Sequence, residues 1–163
     1  MTDAFDDDEL ATWSSLATLL EWLPAALDAQ LQRDSGMAHF EFGILFALSR
    51  ADAGTLRMST LAEHANSTLS RLSRAAARLE RKGWVVRRPD PADGRFTLAV
   101  LTDAGRQAAR DAEPGHVALV RRLVLDTLSA DQARELGASS RRITTRIRAD
   151  GAWRPGRPRP TGE

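Results

Sequence analysis

Leucines and a tryptophan recur at three- and four-residue steps near the start of the chain: Leu10, Trp13, Leu16, Leu19, Leu20, Leu23 and Leu27. That period lays the apolar side chains along one stripe and predicts a long helix over about residues 6–33. Pro24 should kink or divide it, and Ser35-Gly36 should end it. A second helix is predicted over about 38–49, with Phe40, Ile44, Leu45 and Leu48 on its apolar face. Asp52-Ala53-Gly54 reads as a turn and Leu56-Arg57-Met58 as a very short strand. A short helix follows, ending near Ala65. Ser59 and Thr60 offer cap hydroxyls there, and Thr60 with Glu63 makes a capping-box pattern. Asn66-Ser67 should break that helix, because Asn tolerates the left-handed backbone of a tight turn. Thr68 should cap a helix over about 69–82, and Gly83 should stop it.

The period then changes. Trp84-Val85-Val86-Arg87 and Phe96-Thr97-Leu98-Ala99-Val100-Leu101 read as strands, and Pro89 to Arg95 as a turn-rich loop. Together they predict a β-hairpin with a long polar tip. Thr102 should cap a helix running to about 127, kinked at Pro114-Gly115, and Ser129 a last helix over about 130–148. The tail over 150–163 mixes Pro, Arg and Gly and is expected to be disordered. A short helix, a tight turn, a helix of about four turns and then a hairpin is the order of a winged helix-turn-helix. The predicted fold class is therefore mostly α (α+β). A DNA-binding lobe spans 36–101, and helices in 1–35 and 102–149 lie outside it.

Composition narrows the chemistry. Hydrophobic residues make up 42% and charged residues 28%, an ordinary globular balance. No apolar run approaches the roughly 18 residues of a membrane span. The acidic start (Asp3, Asp6, Asp7, Asp8, Glu9) is unlike a secretory signal, so a cytoplasmic protein is expected. There is no cysteine, hence no disulfide, thiolate nucleophile or thiol redox switch. The three histidines, His39, His64 and His116, lie far apart without metal-ligand spacing. Neither a Ser-His-Asp grouping nor a Gly-rich phosphate loop is evident. An enzyme, a metal site and a cofactor are accordingly not expected.

The net charge of +1 hides an asymmetry. Residues 1–49 carry one basic and nine acidic side chains, and residues 67–95 carry eight basic and three acidic. Local charge decides where a polyanion docks. On the 69–82 helix, Leu69, Leu72, Ala76 and Leu79, with Ala75 beside them, form a core face. Ser70, Arg71, Ser73, Arg74, Ala77, Arg78 and Arg81 form the opposite one. Short polar residues permit close approach to a major groove, and arginines reach guanine edges or phosphate. A merely solvated helix face would carry the same arginines. At the hairpin tip, Asp93-Gly94-Arg95 exposes an Arg suited to a narrow minor groove, with Asp93 placed to orient it. A turn chosen for its Pro, Asp and Gly content is the plainer account of that tripeptide.

Taken together, Leu56 to Glu63, Ser70 to Val85, Asp90-Pro91-Ala92-Asp93-Gly94-Arg95 and Leu101-Thr102-Asp103-Ala104-Gly105-Arg106 resemble the multiple-antibiotic-resistance regulator (MarR) family. The likeness runs from about Ala38 to Leu128. It implies a homodimer whose terminal helices form a base beneath two winged lobes. It places Arg95 in the minor groove with Asp93 as its partner, Ser70, Arg71, Ser73 and Arg74 at bases, and Thr68 and Arg78 near phosphates. It also implies repression of adjacent genes, relieved by a small phenolic or lipophilic ligand. Two departures stand out. Asn66-Ser67 replaces a small residue followed by an apolar one, which predicts a loosely packed turn. Gly94 replaces a basic residue, which predicts one phosphate contact fewer.

The apolar stripe of the first helix, and Val117, Leu119, Val120, Leu123, Val124 and Leu128 near the other end, exceed what one small lobe can cover. A second copy is the simplest cover, its two-fold axis matching a palindromic operator. Trp13, Trp22, His39 and Phe40 are the candidate lining of an effector pocket, although residues at that spacing also serve as plain core. The competing reading is a winged-helix protein-interaction module with little affinity for DNA.

Overall fold

The computed structural model describes residues 4–151 and Trp153. The elements run α1 (Asp7–Ser35), α2 (His39–Arg50), β1 (Thr55–Arg57), α3 (Met58–His64), α4 (Leu69–Arg81), β2 (Val85–Pro89), β3 (Thr97–Leu101), α5 (Asp103–Leu123) and α6 (Ala130–Ala149). The antiparallel sheet has the order β1-β3-β2. The fold is the mostly helical α+β class expected, and the hairpin β2–β3 is the wing. No helix among the described residues is long and apolar enough to cross a membrane. The tail expected to be disordered lies outside the described residues from 154 onward.

The acidic start of the chain is a helix start. Asp6 Oδ1 accepts the Glu9 N–H at 2.8 Å, and the Glu9 carboxylate accepts the Asp6 N–H at 3.1 Å. Asp7 and Asp8 add negative charge where the helix dipole favours it. Gly36, with φ 61°, closes the far end. Neither proline breaks its helix: α1 continues through Pro24 and α5 through Pro114. Each proline removes one hydrogen bond, freeing the carbonyl four residues earlier. Those carbonyls belong to Leu20 and Arg110, residues that both lie exposed.

Two local expectations need correcting. The short helix begins at Met58 with Arg57 at its N-cap, so the Thr60–Glu63 capping box does not form. β1 hands the chain straight into α3, leaving no room for a cap further on. Nor is the turn before α4 loose. Asn66 takes the left-handed φ of 47°, while Ser67 is 1% exposed and donates its N–H to the Ala62 carbonyl at 2.9 Å.

One core joins the lobe to the terminal helices. Leu45, Leu48, Leu61, Leu72, Leu79 and Val85 share it with Leu31 of α1 and with Ala109 and Ala112 of α5. Gly105, in the first turn of α5, lies directly on the turn that ends α4, where a Cβ would overlap the Trp84 carbonyl. Thr102 accepts the Gly105 N–H at 3.0 Å as cap and donates its hydroxyl to the Gly83 carbonyl at 2.7 Å. The end of α4, the start of the wing and the start of α5 are thereby fixed to one another.

Candidate nucleic-acid interface

Thr68 caps α4, its Oγ1 accepting the Arg71 N–H at 3.2 Å. Leu72, Ala75, Ala76 and Leu79 are fully buried. Leu69, expected in that core, is instead 42% exposed. It sits in the first turn, beyond the reach of the core, and lines a groove of about 420 Å³ with Met58, Ser73, Phe96 and Arg95. The groove therefore runs between α4 and the wing.

The outward face divides by what each cation touches. Ser70 and Arg74 are exposed and Ser73 is half-buried; Arg74 and Arg81 make no salt bridge among the described residues. Arg71 places its guanidinium 4.2 Å from the centre of the Phe40 ring, a cation–π contact. Arg78 is less free than its place on the helix wheel suggests: its Nε donates to Glu41 Oε1 at 2.6 Å. Lys82 Nζ donates to the Gly36 carbonyl at 2.8 Å and reaches Glu41 Oε2 at 3.4 Å.

The wing tip is an ordered turn. Asp90 N–H donates to the Phe96 carbonyl at 2.9 Å, and Phe96 N–H to the Asp93 carbonyl at 3.0 Å. Asp93 grips Arg95 side-on, at 3.0 Å from Nε to Oδ1 and 2.7 Å from Nη2 to Oδ2. These bonds hold the Asp93 carboxyl below the usual carboxylate range and raise the Arg95 guanidinium. The Arg95 side chain is still 85% exposed. It is therefore aimed without being covered, as an Arg entering a groove must be.

Sequence reasoning missed the clamp at the wing's root. Arg57 of β1 donates to the buried Asp90 at 2.7 Å and lies 4.3 Å over the Phe96 ring. It also missed Glu80, which accepts the Arg87 N–H at 3.1 Å and grips its guanidinium at 3.0 and 2.7 Å, and so pairs one wing cation. Position in the chain gave no signal for either, because β1 pairing with β3 brings Arg57 to Asp90 and the packing of α4 on β2 brings Glu80 to Arg87.

The four candidate effector residues do not surround one cavity in the single chain. Trp13 and Trp22 stand 50% and 74% exposed on α1, nine residues and so about 13 Å apart along the axis. Phe40 lies beneath Arg71. His39 stacks on His116 of α5, ring centres 5.5 Å apart, and its backbone N–H donates to Asp28 at 2.8 Å. A separate groove of about 530 Å³ is lined by Phe46, Ala47, Arg50, Leu56 and His64.

Known proteins share this architecture. Residues 35–95 match the sequence model of the MarR family. YxaD of Bacillus subtilis (strain 168), an uncharacterised HTH-type transcriptional regulator, is 36% identical over 81 residues. That stretch is 50% of this chain and 55% of YxaD, so the match spans about half of this curated relative. The crystal structure of Sco3205, a MarR family transcriptional regulator from Streptomyces coelicolor in complex with DNA, is 40% identical with a TM-score of 0.87, over 90% of this chain and 92% of that one. AbsC, a MarR family transcriptional regulator from the same organism, is 32% identical with a TM-score of 0.86, over 91% and 99% of the respective chains.

Proposed function

Because this chain belongs to the MarR family of transcriptional regulators, we propose that it binds a palindromic DNA operator as a homodimer and represses adjacent genes until a small phenolic or lipophilic ligand releases it. In this reading α4 enters the major groove. Ser70, Arg71, Ser73 and Arg74 face base edges, Thr68 and Arg78 meet phosphates, and Arg95, steered by Asp93, enters the neighbouring minor groove. The observation that carries the reading is the pairing of two surfaces: an uncovered Ser/Arg face on a capped helix, and beside it an Arg fixed in direction yet 85% exposed. Sco3205, a relative whose crystal structure is in complex with DNA, supports the same reading. The ligand part rests on family likeness.

The test is salt-dependent binding to the duplex upstream of the protein's own gene. Two half-sites one helical turn apart, within roughly 16–20 base pairs, are expected to bind one dimer. Arg74→Ala should relax base preference, and Arg95→Ala should cost about tenfold in affinity with the preferred major-groove bases unchanged. Parent-like binding by both variants overturns the contact assignment, and a parent that ignores duplex at low salt overturns the function.

A further inference from the structure

The first turn of α2 takes hold of α4 from below. Phe40 carries Arg71, and the next residue, Glu41, carries Arg78 and Lys82. Glu41 is nearly sealed, its side chain 4% exposed against 45% for Arg78. A carboxylate so placed is costly unless its oxygens are committed, and they are. Oε1 accepts Arg78 Nε at 2.6 Å, and Oε2 accepts the Ala38 N–H at 3.2 Å and Lys82 Nζ at 3.4 Å. Burial pushes the Glu41 carboxyl up, but the bonds from Arg78 and Ala38 and the charges of Lys82 and Arg78 hold it below the usual carboxylate range. It is an anion at neutral pH.

The contact uses only one nitrogen of the guanidinium. The terminal nitrogens of Arg78 make no hydrogen bond among the described residues, and the side chain as a whole is 45% exposed. A guanidinium anchored through Nε has lost most of its swing, and its remaining N–H groups form a fixed fork of the kind that matches a phosphate. We propose that Glu41 is a positioning residue for DNA binding: it aims the terminal nitrogens of Arg78 at a backbone phosphate beside the major groove. The inference rests on α4 being the recognition helix, and it gives a role to a residue too buried to touch the duplex. It also makes a prediction of sign. Deleting a negative charge beside a polyanion site should by charge alone strengthen binding. If Glu41 positions Arg78, the same deletion weakens it.

Glu41→Gln, Arg78→Ala and the double variant, each in the full chain, are titrated with one operator duplex at salt concentrations between roughly 50 and 200 mM. Glu41→Gln is expected to lose about five- to tenfold in affinity. Its slope of log K against log salt should fall by about 0.9, the signature of one lost phosphate contact. Arg78→Ala should show the same slope, and the double variant should bind no worse than Arg78→Ala. Binding by Glu41→Gln that equals or exceeds the parent's, or losses that multiply in the double variant, overturns the assignment. If Arg78→Ala lowers the slope while Glu41→Gln does not, Glu41 alone is misassigned. If neither Arg78→Ala nor Arg74→Ala alters binding, the recognition-helix reading itself fails. Should Glu41→Gln not fold, Arg78→Lys decides. It keeps the charge but lacks the Nε anchor and the fork, so it is expected to bind more weakly than the parent, though better than Arg78→Ala, and parent-like binding rejects the proposal.

Discussion

His39 and His116 meet where α2 crosses α5, and the physics of two stacked imidazoles makes that junction sensitive to acid. Burial lowers the affinity of His39 for a proton, against the pull of Asp28. Burial lowers that of His116 too, and so does the charge of His39, against the pull of Glu113. His116 Nδ1 is buried without a partner among the described residues, which again favours an uncharged ring packed on Phe42 at 4.8 Å. The native state therefore prefers both rings neutral, while the unfolded chain binds protons near the ordinary value of about 6.5. Between the depressed native values and about 6.5 the unfolded state holds more protons, so stability rises with pH across that window. Melting temperature should accordingly fall as pH drops through the mid-sixes. His116→Gln should remove part of that fall while leaving the profile above about pH 7.5 parallel to the parent's. Parent and variant curves that stay parallel below pH 6.5 reject this account. Neither histidine's neighbour was visible in the sequence, because 77 positions separate them and only the packing of α2 on α5 brings them together.

At the scale of elements, the parts that had been legible are those dictated by local chemistry. Thr68 caps α4, Gly83 ends it with φ 71°, Asn66 turns left-handed, and Ser129 caps α6. The misreadings share one cause, which is that a neighbour outside the window decided the outcome. Strand β1, paired with β3, set the start of α3 at Met58. The groove beside the wing left Leu69 uncovered. The candidate interface was readable to the same extent: the face of α4 and the tip of the wing follow from period and turn chemistry, but the tethering of Arg78 by Glu41 spans 37 positions. Because the Thr68 cap is local, its worth can be stated. Thr68→Ala should lower unfolding free energy by about 1 kcal/mol in urea titration without DNA, and Thr68→Ser should restore it. An unchanged midpoint in Thr68→Ala shows that tertiary packing alone holds the start of the helix.

At the scale of the whole molecule, apolar side chains stand exposed near both ends of the chain. α6 buries none of its residues in the single chain, yet carries Leu136, Ile143 and Ile147 at 40%, 48% and 39% exposure. The first half of α1 is similar, with Leu10, Trp13 and Leu20 at 50%, 50% and 59%, whereas Leu27 and Leu31 further along are buried against the lobe. Helices of this length owe most of their stability in water to packing rather than to propensity, so something must cover these faces. They come from the two ends of the chain and leave the basic face of α4 uncovered, which suits a second copy and a two-fold axis. Leu20→Glu combined with Ile143→Glu tests this without disturbing the lobe core, since both side chains are exposed in the single chain. The parent is expected to sediment as a dimer at micromolar concentration and the variant as a monomer with its lobe still folded. Losing the dimer uncouples two half-sites that otherwise share one binding event, so operator affinity should fall by about two orders of magnitude or more. Binding to an isolated half-site should stay near the parent's. A parent that sediments as a monomer, or a doubly charged variant that remains dimeric, means that these faces have another occupant.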